Sequence, residues 1–257
     1  MFHPLALCFL ALSGAGTPPT SGSSAVEINV YAAASLRDAL ERLAPACGKE
    51  AGARLVFNFG ASSDLARQIQ AANKADLFLS ADEEWIDRLD RAGLTDRDSR
   101  RSFLSNRLVV VGPRSGTLTV RSAGDLAGRS VRRLALANPD AVPAGKYAKA
   151  WLEKAGVWDR VKERVVPSVD VRAALAAVET GAVEAGVVYR TDAAVSRRAR
   201  VLYEVPEREG PVISYALAVL KDRPERARAR RLAECLAGPR GREVFRDLGF
   251  IVPEDPP

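Results

Sequence analysis

The chain has 257 residues, 38 basic against 32 acidic side chains for a net charge of +6, and 47% hydrophobic residues, a globular composition long enough for two ordinary domains. Its only His (His3), its only Met (Met1) and one of its three Cys (Cys8) lie near the N-terminus, and residues 1–25 carry no Lys, Arg, Asp or Glu. From residue 26 onward there is no imidazole for a zinc site, a Ser-His-Asp triad or a general base, and two thiols are too few for a cysteine-only zinc or iron–sulfur centre.

Leu5 to Leu12 is a short apolar run followed by small and polar residues. It reads as a secretory signal over residues 1–25, too short to span a bilayer. Cys8 lies inside the run with no small-residue site before it, so it is not read as a lipid-attachment cysteine. Val26, Ile28 and Val30 then alternate as a strand, and Leu36, Ala39, Leu40 and Leu43 follow at helical spacing. Leu55 to Phe59 leads into a helix carrying Leu65, Ile69 and Ala72; Ala75 to Ser80 is a strand before a helix with Trp85, Ile86 and Leu89. Leu108 to Val111 is a strand ended by Gly112 and Pro113. Leu134 to Ala137 precedes a helix with Tyr147, Trp151 and Leu152. Val165 and Val166 lead to a helix with Val171, Leu175 and Val178, and Ala185 to Tyr189 is a further strand. The tail holds a strand from Ile213 to Leu220 and helices over 224–237 and 240–248, the second closed by Gly249. No second apolar stretch approaches ~18 residues, so a soluble protein is expected.

This alternation predicts α/β units with parallel sheets, split into two lobes. The Arg226 to Arg231 run reads as a solvated helix face, since no aromatic stacking residues accompany it and no nucleic-acid partner is expected. For Cys47 and Cys235, a disulfide and two separate buried thiols both fit the sequence.

In open α/β sheets ligands sit beyond the carboxyl ends of strands, which draws attention to four strand-to-helix turns. The first is Ala32-Ala33-Ala34-Ser35-Leu36-Arg37-Asp38, with Ser35 as N-cap and Asp38 completing a capping box. The second is Gly60-Ala61-Ser62-Ser63-Asp64. The third runs from Asn138 to Tyr147, with Pro143 suited to a first helical turn and unobstructed amides at Ala144 and Gly145. The fourth, Pro167 to Arg172, opens the helix of Val171. Helix starts expose unpaired N–H groups and a partial positive charge, so several aimed into one cleft would hold a dianion without any cationic side chain. Singly, each is simply a capped helix.

Tyr31-Ala32-Ala33-Ala34-Ser35-Leu36, the segment from Phe59 to Ile69 and Ala75-Asp76-Leu77-Phe78-Leu79-Ser80-Ala81-Asp82 resemble the periplasmic molybdate-binding proteins of ABC importers. So do Asn106 to Val111, Val142 to Ala148, Asp170 to Leu175 and Gly186-Val187-Val188-Tyr189. The resemblance runs in one order from about Val26 to Ile251. It implies a type II periplasmic binding protein: α/β, with two Rossmann-like lobes and a ligand cleft between them. Lobe one would hold residues 26–107, lobe two 108–213, and residues 214–257 would return to lobe one. The implied ligand is molybdate, with tungstate, held by the hydroxyls of Ser35, Ser62 and Tyr189 and the amides of Ala144 and Val171. Without the resemblance, Tyr189 is a core tyrosine at a strand end. Ser63 is a further candidate, because adjacent hydroxyls are not ranked by sequence. Asp64 stands where many relatives carry a neutral residue, and is read as a first-turn acid pointing back along its helix.

The resemblance also implies a monomeric periplasmic protein that delivers its ligand to permease and ATPase subunits. No catalytic residue, cofactor or side-chain-ligated metal is expected, the metal arriving as its oxyanion. Molybdate carries no proton, so its oxygens only accept and a donor-only site matches it. A sulfate or phosphate binding protein is the nearest rival. A serine hydrolase using Ser35 or Ser62 is a remote one, lacking a His base and any Lys placed to activate them.

Overall fold

The computed structural model describes residues 26–254, so the 1–25 signal expectation lies outside the described residues. The first lobe begins with β1 (Glu27–Ala33), α1 (Arg37–Ala51), β2 (Arg54–Gly60), α2 (Ser62–Ala72), β3 (Leu77–Ser80), α3 (Glu83–Arg91) and β4 (Arg101–Leu104). The second holds β5 (Leu108–Pro113), β6 (Leu134–Ala137), α4 (Pro143–Lys154), the short α5 (Trp158–Val161), β7 (Val165–Ser168), α6 (Val171–Glu179), β8 (Ala185–Tyr189), α7 (Arg190–Val195) and β9 (Ala199–Glu204). The chain then returns with β10 (Tyr215–Val219), α8 (Arg226–Ala237) and α9 (Pro239–Asp247). Two five-stranded sheets result, ordered β2-β1-β3-β10-β4 and β7-β6-β8-β5-β9.

Local chemistry explains the elements. Ile28, Val30 and Ala32 are buried at period two along β1, while α1 buries Leu40, Leu43 and Cys47 on one face and ends at Gly52 with φ +68°. Strands β6, β8 and β10 are buried throughout, as expected of strands covered on both faces. Among the described residues no helix is long and apolar enough to cross a membrane.

The sheets are mixed, which corrects the all-parallel expectation. β1–β2, β1–β3, β6–β7 and β6–β8 are parallel, whereas β10 runs antiparallel to β3 and β4, and β5 antiparallel to β8 and β9. β5 and β10 are the strands by which the chain enters a sheet from the other lobe, with no crossover helix to reverse its direction. β4, β9 and α7 have no counterpart in the periodicity reading: the two strands are short, partly polar sheet edges and the helix is six residues long.

Cys47 on α1 and Cys235 on α8 form a disulfide with a Cα separation of 5.6 Å, which excludes the separate-thiol alternative. The Arg226–Arg231 face is not merely solvated. Arg226 and Arg230 both donate to the buried carboxylate of Asp96, and Arg231 donates to the Ala51 carbonyl. A carboxylate that enters the interior needs such partners, and the basic run supplies them.

Candidate functional site

Between the two sheets lies a small cavity, about 220 Å³ of space including its mouth. Lobe one contributes Ala33 to Ser35 at the end of β1 and just beyond it, Gly60 to Ser62 at the end of β2 and the start of α2, and Ala81 after β3. Lobe two contributes Val142 to Ala144 before and within α4, Asp170 and Val171 at the start of α6, and Tyr189 at the end of β8. Ser35, Ser62, Ala144, Val171 and Tyr189 thus meet around one space, at or just beyond strand carboxyl ends.

Ser35 does not cap α1. It sits inside a 3₁₀ turn, Ala34–Leu36, and its Oγ lies 3.0 Å from the hydroxyl of Tyr215. The capping box does not form either, because Asp38 reaches across the cleft to the Arg172 guanidinium at 2.5 Å. Ser62 is the first residue of α2, and its Oγ accepts the Ala81 N–H at 3.0 Å. Its single hydroxyl hydrogen is therefore left to donate elsewhere. Ser63, the alternative contact, is fully buried outside the cavity lining, and its Oγ has no partner. Asp64 pairs with Arg67 on the half-exposed flank of α2 and lines no part of the cavity.

In lobe two, Pro143 opens α4 and has no N–H. The intrahelical ladder starts with Lys146 donating to the Val142 carbonyl at 2.9 Å, which leaves the Ala144 and Gly145 amides outside it. Gly145 has a packing reason beyond an open amide: a Cβ there would lie 2.0 Å from the Ala137 carbonyl oxygen, so only glycine lets α4 start this close to the end of β6. At α6, the Asp170 carboxylate caps the helix by accepting the Ala173 N–H at 2.8 Å, leaving the Val171 and Arg172 amides outside the ladder. The Tyr189 hydroxyl is buried and has no partner within the protein. Burial pushes its phenol well above the ordinary value, so it stays a neutral donor.

Cations stand near the cavity without lining it. Lys146 pairs with Glu84 of α3. Arg172 joins Asp192 at 2.6 Å and Asp38 at 2.5 Å. Arg37 pairs with Glu41 and stacks over the Phe59 ring. Burial pushes the Asp192 carboxyl up to about 6, with Arg172 pulling the other way. Arg172–Asp38 and Lys146–Glu84 each bridge the lobes, which places Lys146 at the cleft. The cavity therefore presents helix dipoles, amides and three hydroxyls, with the neighbouring positive charge already matched by carboxylates. Such a set favours a small anion of high charge. Among the described residues no group of three or more His, Cys, Asp or Glu side chains is placed to hold a metal ion.

Sequence reasoning did not identify Ala81, whose amide fixes Ser62, or Tyr215 and Asn106, which stand behind Ser35. Ala81 and Asn106 fall inside blocks that carry the resemblance, but nothing in local spacing gives their roles. Their partners are distant in sequence.

The model of a family described as bacterial extracellular solute-binding protein matches residues 28–251. The chain is 38% identical over 230 residues to the molybdate-binding protein ModA of Escherichia coli (strain K12), covering 88% of this chain and 89% of that protein. It is 37% identical over 246 residues to the putative ABC transporter substrate-binding lipoprotein YvgL of Bacillus subtilis (strain 168), covering 94% of each. Among solved structures, the periplasmic molybdate-binding protein of Azotobacter vinelandii superposes with a TM-score of 0.80 at 25% identity, over 88% of this chain and 100% of that one.

Proposed function

Because the chain belongs to the bacterial extracellular solute-binding protein family, we propose that it captures molybdate, and tungstate with it, and delivers the oxyanion to the permease and ATPase subunits of an ABC importer. The observation that carries this reading is the cavity itself: hydroxyls of Ser35, Ser62 and Tyr189 and amides of Ala144 and Val171, drawn from both lobes around one small space. The relatives named for molybdate binding support the choice of anion. In this reading the protein acts as an exported periplasmic monomer with residues 1–25 as its signal, needs no cofactor, and holds the metal only through the oxygens of its oxyanion.

The energetics are adequate. Hydrogen bonds to a charged group contribute roughly 1.5–3 kcal/mol each, so five give about 8–15 kcal/mol before the costs of association and lobe closure. Toward the upper end of that range, what is left reaches micromolar affinity, about −8 kcal/mol. Monohydrogen phosphate carries an O–H that needs an acceptor. The one carboxylate at the cavity, Asp170, is turned onto its own helix at Ala173. Acyl transfer is disfavoured, because the hydrogen-bond partners of the two serines are the Tyr215 hydroxyl and the Ala81 amide, neither a base. Calorimetric titration with molybdate, tungstate, sulfate and phosphate tests the proposal. Micromolar or tighter binding of the first two with weak binding of the others is expected, and tight sulfate with weak molybdate overturns it.

A further inference from the structure

Both serines at the cavity have hydroxyls whose direction matters, since a serine can donate to a ligand or accept from it. At Ser62 a backbone amide decides: the Ala81 N–H can only donate, so Ser62 accepts there and its hydrogen is free for the ligand. At Ser35 the partner is Tyr215, and either oxygen of that pair could be the donor. The ambiguity is resolved one residue further back. The Arg107 N–H donates to the Asn106 Oδ1 at 2.9 Å, which fixes the orientation of the Asn106 amide. Its Nδ2 then faces Thr191 Oγ1 at 2.9 Å and the Tyr215 hydroxyl at 3.4 Å, and Nδ2 can only donate. Tyr215 accepts from Asn106, and among the described residues Ser35 is the acceptor in reach of its one hydrogen, so that hydrogen points to Ser35. Ser35 accepts it and turns its own hydrogen into the cavity. Ser35, Asn106, Thr191 and Tyr215 are all buried, so water does not scramble the chain.

We propose that Asn106 and Tyr215 are positioning residues that fix the direction of the Ser35 hydroxyl, making it a donor to the ligand and selecting oxyanions that carry no proton. Asn106 lies on the segment by which the chain leaves lobe one and Tyr215 at the start of the strand that brings it back. The polarity of the site is thus written into both crossing segments. This inference rests on the oxyanion reading above.

Tyr215→Phe keeps the ring packed against Tyr189 and Phe250 and removes only the relay. Titrated with molybdate and with monohydrogen phosphate at pH 8, the variant is expected to lose about tenfold in molybdate affinity and no more than about twofold for phosphate, so that the ratio between the two falls. In a Ser35→Ala background, where there is no hydroxyl to orient, Tyr215→Phe should have no further effect on that ratio. Should Tyr215→Phe not fold, Asn106→Ala removes the same polarity from the other end and is judged by the same criteria. Unchanged molybdate affinity, an equal loss for both anions, or the same loss with and without the Ser35 hydroxyl would each overturn the inference. Wild-type protein that fails to bind molybdate would instead contradict the function proposed above, a separate result from the same titration.

Discussion

Ser62→Asp lowers molybdate affinity by at least about a thousandfold, which corresponds to roughly 4 kcal/mol. The carboxylate sits comfortably in the folded protein. It occupies the first position of α2, where negative charge is favoured, and it inherits the Ala81 N–H now donated to the serine. It therefore has no hydrogen to give the ligand, and it carries the ligand's sign of charge. The loss combines one hydrogen bond to a charged group, roughly 1.5–3 kcal/mol, with repulsion between a monoanion and a dianion. At about 4 Å and an effective dielectric near 20 that repulsion is of order several kcal/mol. Arg228→Ala is the matched control. Arg228 is on α8, pairs with Glu225 at 2.6 Å and lines no part of the cavity. Its removal is expected to change affinity less than about twofold even though it shifts net charge in the same direction. Isothermal titration of both variants, with circular dichroism to verify folding, checks the pair. Equal affinities would mean that Ser62 is not at the ligand.

Removing the Cys47–Cys235 bridge costs stability and leaves binding alone. The bridge joins positions separated by 188 in sequence, and the chain-entropy contribution of so long a loop is about 5 kcal/mol, with native disulfides in general contributing about 2–5 kcal/mol. At about 2–4 °C per kcal/mol for a domain of this size, the double variant Cys47→Ala/Cys235→Ala should melt roughly 5–15 °C lower. Cys47 lies about 15 Å along α1 from the Ser35 turn, so molybdate affinity at 25 °C is expected to hold within about threefold. Thermal melts of the oxidised protein, the reduced protein and the double variant check this. Identical midpoints would show that the thiols are unpaired in solution. Such a bridge also suits the oxidising compartment proposed here.

Much of the lobe architecture was legible because strands such as β1 and β6 and helices such as α1 and α6 announce themselves by period and burial. The five residues proposed to hold the oxyanion stand out through strand-to-helix turns and the resemblance, and all five line the cavity. What stayed illegible has one physical character: it depends on residues far apart in sequence. The direction of β5 and β10 follows from lobe crossing, which no local pattern encodes. Asp38 fits a capping box by spacing yet binds Arg172, a choice that exists only once the cleft closes. Asp96 draws the basic face of α8 inward across 130 residues of chain. Ser62 and Ser63 are indistinguishable as adjacent hydroxyls until the start of α2 turns one to the cavity and buries the other.

The most direct test of the central claim, that uncharged donors from both lobes hold a doubly negative metal oxide, is a crystal structure grown with molybdate and recorded at the molybdenum absorption edge. A single anomalous peak is predicted inside the cavity. Its oxygens should lie about 2.7–3.2 Å from the Ser35, Ser62 and Tyr189 hydroxyls and the Ala144 and Val171 amides, with Arg172 still held by Asp38 and Asp192. A peak contacted by a guanidinium or ammonium group, or one lying outside the cleft, would contradict it.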